Sequence, residues 1–282
     1  MDGKGGPGSG LPVRGPAVIR HDAADAKSLV QSALAEHRLH AYHQPNVVLG
    51  DNGLFASEVL TRIHSPSDGV EPIDLEKQLF LFDDAAALVD GEILQQSLDH
   101  LARLHGLGME RLQVSVNVSA ASLCRRTYAE QLTAALAAKG ISPSSVTIEI
   151  VETVNVEAHR KAIWDLHDIG VRIALDDFGT GYANLFHLKR LPVDFVKIDR
   201  RFISRICSDS SDRAIIDALI GLTKTLGIQS IAEGIETAEQ AALLRDMGCD
   251  IGQGYFFGKA MPFEAWRDLV ATWNPLRFKE SP

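Results

Sequence analysis

From about Gly106 onward, two hydrophobic periods alternate along the chain. Stretches with apolar residues every three or four positions end at a glycine, and a short β-rich run follows at once. Gly140 precedes 145–152, Gly170 precedes 171–177, Gly227 precedes 228–233, and Gly248 precedes 251–257. Glycine supplies the left-handed residue that closes a helix. Ala162, Ile163, Leu166 and Ile169 share one helical face, as do Ile216, Leu219, Ile220, Thr223 and Leu226. Thr237 and Gln240 have the spacing of a capping box, which opens a further helix toward Met247. The β-rich runs 114–118, 146–151, 173–175, 195–198 and 230–232 are short and apolar, as strands covered on both faces are. Strands alternating with helices imply a parallel sheet.

The first part of the chain reads differently. Two β-like runs, 42–49 and 54–60, flank Gly50-Asp51-Asn52-Gly53, and Asn-Gly between such runs signals a hairpin. The expected fold class is therefore α/β, a (β/α)8 TIM-like barrel with an antiparallel first strand pair. An open doubly wound sheet fits the same alternation, but no GxGxxG loop follows the first strand. With 282 residues the chain has the length for such a barrel, which takes roughly 250. Residues 1–20, rich in Gly and Pro at their start, read as a flexible leader or linker, and 21–282 as the barrel domain.

Composition narrows the function classes. A hydrophobic share of 45% and a charged share of 23% are those of an ordinary globular protein. The net charge of −9 argues against a grip on long nucleic acid, although an acidic site binds a small anion when cations stand between them. Cys124, Cys207 and Cys249 form no CxxC pair and read as buried or semi-buried thiols of a reducing cytoplasm. No apolar run approaches the roughly 20 residues of a membrane span.

The chemistry gathers where strands stop. Successive β-runs deliver Glu58, Asn117, Glu149 with Glu152, Asp176-Asp177, Lys197 with Asp199, Glu233 with Glu236, and Gln253. In a barrel these ends converge on one mouth. A single strand-end Asp is commonly a helix N-cap, and Glu236 reads equally as an exposed loop acid. Together, Glu58, Glu149, Asp176, Asp177 and Glu233 would repel one another and remain ionised only around cations. An all-oxygen ligand set selects Mg²⁺ or Mn²⁺. One of the adjacent aspartates could bridge two ions that clamp the attacking and leaving oxygens of a phosphodiester. Lys197, the lone cation of this ring, stands to orient or deprotonate a water or to offset charge at phosphate. His37, His40, His100 and His105 read as surface or helix-end histidines. Gly179-Thr180-Gly181-Tyr182 reads as a gate or as a plain βα turn.

These residues resemble the EAL-domain cyclic-di-GMP phosphodiesterases over about 35–273. The motifs are Gln44-Pro45, Glu58-Val59-Leu60 with Arg62, Asn117-Val118-Ser119, Glu149-Ile150-Val151-Glu152, the run from Asp176 to Tyr182, Lys197-Ile198-Asp199, Ala232 to Glu236, and Gln253-Gly254-Tyr255. The resemblance implies hydrolysis of cyclic di-GMP to linear pGpG with two divalent ions. It assigns Glu58, Asn117, Glu149 and Asp176 to one ion, and Asp176, Asp177 and Glu233 to the other. Lys197 would activate the water, with Glu58 and Glu233 in the catalytic set. Gln44, Arg62, Asp199, Gln253 and Tyr255 would lie on the substrate side, with Tyr255 or Phe256 stacking on guanine. Glu152 would anchor the loop after Asp177. A homodimer and an upstream sensor domain are further expectations of the resemblance. The alternative is a catalytically silent cyclic-di-GMP receptor.

Three features depart from the family pattern. Val59 replaces the middle alanine of the name-giving triplet, Ile63 stands at an aromatic position, and Pro72 to Asp90 does not follow the usual helix sequence. The apolar run 79–82 within that segment reads as core or as an interface patch.

Overall fold

The computed structural model describes residues 23–65, 69–72, 83–151, 156–178 and 185–278. The run 79–82, the loop 179–184 and Glu152 lie outside them. The first half contains α1 (Ala23–Ala35), β1 (Leu39–Val48), β2 (Leu54–Ser65), β3 (Gly69–Pro72), α2 (Asp83–Gly106), β4 (Gln113–Asn117), α3 (Ala120–Leu123), α4 (Tyr128–Lys139), β5 (Val146–Val151) and α5 (Val156–Asp168). The second half contains β6 (Arg172–Phe178), α6 (Leu185–Arg190), β7 (Phe195–Ile198), α7 (Arg200–Ile203), α8 (Ser210–Leu226), β8 (Gln229–Ala232), α9 (Ala238–Asp246), β9 (Ile251–Gln253), β10 (Met261–Pro262) and α10 (Phe263–Ala271).

The predicted hairpin is present. β1 and β2 pair antiparallel from Leu39↔Ile63 to Val47↔Leu54, with a bulge at Asn46/Val47. Asn52 turns the chain at a left-handed φ of 60°. β2, β4, β5, β6, β7, β8 and β9 then run parallel in sequence order, and β9 returns to pair antiparallel with β1 through Asn46↔Gln253. Eight strands thus close a barrel in which β1 alone is reversed. Closure decides against the open doubly wound sheet. β3 and β10 extend the hairpin outside the ring, β3 on β2 and β10 on β1.

Helix ends follow their sequence signals. Thr237 and Gln240 make both bonds of the capping box that opens α9. Gly140 and Gly227 close α4 and α8 at φ 65° and 72°. Asp209 caps α8 by accepting from Ser211 N and Asp212 N. α8 then buries Ile216, Ile220 and Thr223 of the stripe its spacing predicts, with Leu219 half-buried and Leu226, at the helix end, exposed.

Strand alternation explains where the core sits. Val114, Val116, Ile148, Ile150, Ile173, Leu175 and Val196 point outward and are buried in one cluster under the helices. The intervening residues point inward. Ala174, Phe195, Ile231 and Ile251 form a separate small cluster with Phe55, a plug inside the barrel. Each of those four stands two residues before a predicted site residue: Asp176, Lys197, Glu233 and Gln253. The period of two therefore carries the site residues onto the same inner face, one layer nearer the mouth.

Three expectations need correction. The last strand stops at Gln253 instead of reaching Phe257. A Cβ on Gly254 would lie 2.0 Å from the Ile235 carbonyl oxygen, so the backbone turns there against a neighbouring loop. His100 is no surface histidine. Its Nδ1 lies 2.8 Å from His43 Nε2, and its ring stacks on Phe263 at 4.1 Å. His43 is fully buried, bonded to Ser57 Oγ at 2.9 Å and parallel to Trp266. Cys124 is exposed, Cys207 half-buried and Cys249 buried. Among the described residues no helix is long and apolar enough to cross a membrane.

Candidate metal centre

Lys197 lies at the middle of the mouth. Its Nζ is 2.5 Å from Glu149 Oε2, 2.7 Å from Glu233 Oε1, and 3.3 Å from both Glu58 Oε1 and Asp176 Oδ1. β2, β5 and β6 supply Glu58, Glu149 and Asp176, and Glu233 follows directly on β8. Asn117 ends β4 and pairs with Glu149 on β5, while Ser115, two residues earlier, pairs with Glu58 on β2. Asn117 Nδ2 and Gln253 Nε2 donate to the two oxygens of Glu58, at 3.2 and 2.5 Å. Gln44 lies opposite Glu58 in the β1–β2 register and donates to the Gly258 carbonyl at 3.3 Å.

Asp176 and Asp177 pose a geometric problem, because neighbours in a strand face opposite ways. A bulge solves it. The β6–β7 register shifts between Leu175 and Phe178, and Asp177 takes a φ of 56°. A non-glycine residue there costs ~1–2 kcal/mol, strain of a kind that concentrates at functional sites. Both carboxylates consequently reach the mouth, and oxygens of Asp176, Asp177 and Glu233 lie within 4.8 Å of one another.

One ammonium cannot balance so many buried carboxyls. Burial pushes Glu149 up to about 8, and the negative charges of Glu58 and Asp176 add to that rise against the pull of Lys197. Burial likewise drives Glu233 well above the carboxylate range. Glu58 goes the other way: burial opposes ionisation, but Lys197 and the bonds from Gln253 and Asn117 overcome it. Burial would also strip the proton from Lys197, yet the surrounding carboxylates hold it there.

The donor set fits a divalent cation. Asn117 Oδ1, Glu149 Oε1 and Gln253 Oε1 are buried acceptors without a hydrogen-bond partner. Such an atom costs ~1–3 kcal/mol unless something satisfies it. Oxygen acceptors facing an excess of carboxylate are what a hard cation takes as ligands.

The remaining predicted residues are spread around this centre. Asp199 caps α7, accepting from Arg201 N at 2.7 Å and Arg201 Nε at 2.8 Å. It also shares a hydrogen bond with Asp177, so the N-cap role is combined with a place beside the site. Arg62, four residues past Glu58 and on the same face of β2, lies over the Tyr42 ring at 5.9 Å. Tyr255 is 62% exposed with the Lys259 ammonium 5.0 Å above its ring. Phe256 packs on Phe257 and Phe278, which leaves Tyr255 as the available aromatic. Glu236 is an exposed loop acid.

A (β/α)8 barrel whose mouth gathers an acidic, oxygen-lined cluster that could hold a cation is the class that fold and geometry define. Within that class the chain belongs to the EAL domain family, whose model matches residues 28–260. It is 32% identical over 256 residues to Cyclic di-GMP phosphodiesterase NbdA of Pseudomonas aeruginosa, across 90% of this chain and 32% of that protein. It is 33% identical over 248 residues to Cyclic di-GMP phosphodiesterase RocR of the same organism, across 86% of this chain and 62% of RocR. The chain thus spans less than two thirds of either relative. Among solved structures, PaMucR phosphodiesterase in complex with c-di-GMP superposes with a TM-score of 0.78 at 30% identity, over 86% of this chain and 99% of that one.

Proposed function

We propose that this chain hydrolyses cyclic di-GMP to linear pGpG, using two Mg²⁺ or Mn²⁺ ions at the barrel mouth. The observation that carries the reading is the Lys197 cluster. Four carboxylates converge on one buried ammonium, Asp177 is bulged in beside them, and three buried acceptor oxygens lack partners. Glu58, Asn117, Glu149 and Asp176 would hold one ion; Asp176, Asp177 and Glu233 would hold the other. Bound there, the ions supply Lewis acidity toward phosphate and a more acidic water.

The chain's own residues do the remaining work. Lys197 orients the water and offsets charge that builds up on phosphate. Gln253 and Asn117 hold Glu58 in one orientation through their amide N–H groups. Gln44 and Arg62 contact the phosphate and sugar side, Asp199 steadies Asp177, and Tyr255 offers its exposed ring to a guanine. In the reaction the water oxygen bonds to phosphorus and the P–O3′ bond breaks. One water proton ends on O3′ and the other passes to solvent.

The test is one incubation of the purified chain with cyclic di-GMP, with and without Mn²⁺, resolved by chromatography. Metal-dependent appearance of pGpG is expected, and Glu58→Ala should abolish it. Robust turnover by Glu58→Ala would sink the proposal. Nucleotide bound tightly but left intact in Mn²⁺ would assign the chain to the silent receptors instead.

A further inference from the structure

Asn117 is the last residue of β4, and only one more ladder bond, Val118 N to the Glu149 carbonyl at 3.0 Å, follows it. Beyond that bond the chain is held from outside the barrel. Asp90, on α2, accepts from Ser119 N at 2.9 Å, Ser119 Oγ at 2.6 Å and Ser122 Oγ at 2.6 Å. All three bonds end on one oxygen, Oδ2. Ser119 in turn caps α3, its Oγ accepting from Ser122 N. A side chain on the barrel's outer helix therefore clamps the turn two residues after Asn117.

We infer that Asp90 is a positioning residue for Asn117: by fixing the exit of β4 it sets where the Asn117 carboxamide points. That carboxamide has one end tied to Glu58 by Nδ2 and presents the other, Oδ1, buried and without a partner. Past Asn117 a single ladder bond holds the strand exit, while the neighbouring carboxylates repel the amide's Oδ1. The three bonds to Asp90 supply the missing anchor. The inference rests on the proposed metal site and adds to it a residue from the segment whose sequence departs from the family pattern.

The test reads Mn²⁺ affinity calorimetrically on the nucleotide-free protein, with circular dichroism to establish folding. Loss of a partner outside the ligand shell typically weakens metal binding ~10–100-fold, so Asp90→Ala should bind Mn²⁺ about 10-fold more weakly. Asp90→Asn retains an acceptor oxygen at the same place and should remain near wild type. In the Asn117→Ala background, where the positioned amide is gone, Asp90→Ala should cost nothing further. Should Asp90→Ala fail to fold, the Ser119→Ala/Ser122→Ala pair removes both hydroxyl bonds and should weaken Mn²⁺ binding in the same direction. Wild-type affinity in a folded Asp90→Ala protein, or in that serine pair, overturns the inference. So does an equal loss in the Asn117→Ala background. Absence of Mn²⁺ binding by the wild type overturns the metal site itself, a different result.

Discussion

Replacing Lys197 with methionine removes a charge while keeping most of the side chain's length and its apolar stem. In the metal-free protein this takes away the one cation that Glu58, Glu149, Asp176 and Glu233 surround at 2.5–3.3 Å. Removing one partner of a buried ion pair costs ~3–5 kcal/mol. Here two carboxyls can soften the loss by keeping protons. Glu149 is already raised to about 8 by burial, and Glu233 is raised by the same cause. The lower end, ~3 kcal/mol, is therefore expected. At roughly 2–4 °C per kcal/mol for a large domain, the melting temperature in EDTA should fall by about 6–12 °C. A divalent ion restores the missing positive charge, so Mn²⁺ should raise the melting temperature of Lys197→Met more than that of the wild type. Differential scanning fluorimetry with EDTA or Mn²⁺ measures both quantities. Unchanged melting in EDTA, or equal stabilisation of the two proteins by Mn²⁺, would refute the view that Lys197 is the electrostatic keystone of an otherwise overcharged site. Turnover of cyclic di-GMP should be lost in the same variant.

The strain at Asp177 predicts a trade between stability and function. Asp177→Gly relieves the φ of 56° and should stabilise the metal-free protein by about 1 kcal/mol, while Mn²⁺ affinity falls; urea unfolding in EDTA and a metal titration read the two effects. The buried histidine pair predicts an acid-sensitive fold. Burial, with the adjacent His100 second, pushes His43 down to about 3, below the unfolded value near 6.5. The unfolded chain thus takes up a proton that the folded chain refuses, and stability falls as pH drops from 6.5 toward 3. By pH 4 the loss from His43 reaches up to ~3 kcal/mol at 1.36 kcal/mol per unit. His43→Gln should flatten the slope of unfolding free energy between pH 6.5 and 4 in EDTA, and identical slopes in the two proteins would count against the assignment.

The features that were legible in the sequence share a cause: each is a local rule acting over a few residues. Gly227 follows a helical stripe, Thr237 and Gln240 have cap spacing, and Asn52-Gly53 joins two β-like runs; all three take the expected form because backbone sterics and short-range bonds decide them. The acidic mouth was legible for the same reason. Strand period places Glu149, Asp176, Lys197 and Gln253 in phase with the inward residues that precede them. What escaped was set by contacts between distant segments. His43 and His100 are 57 positions apart, and their pairing depends on α2 and α10 covering the hairpin's outer face. The last strand stops early because Ile235, from the loop after β8, crowds Gly254. Asp177 belongs to both groups. The sequence presents two adjacent aspartates, and strict alternation would send one of them out of the mouth. Only a bulge reconciles the pair with a shared site, and a bulge strains a residue that is not glycine. A glycine at 177 would relieve that strain but would carry no carboxylate. The strained aspartate is therefore the point in β6 where the demand for ligands outweighs the preference of the backbone.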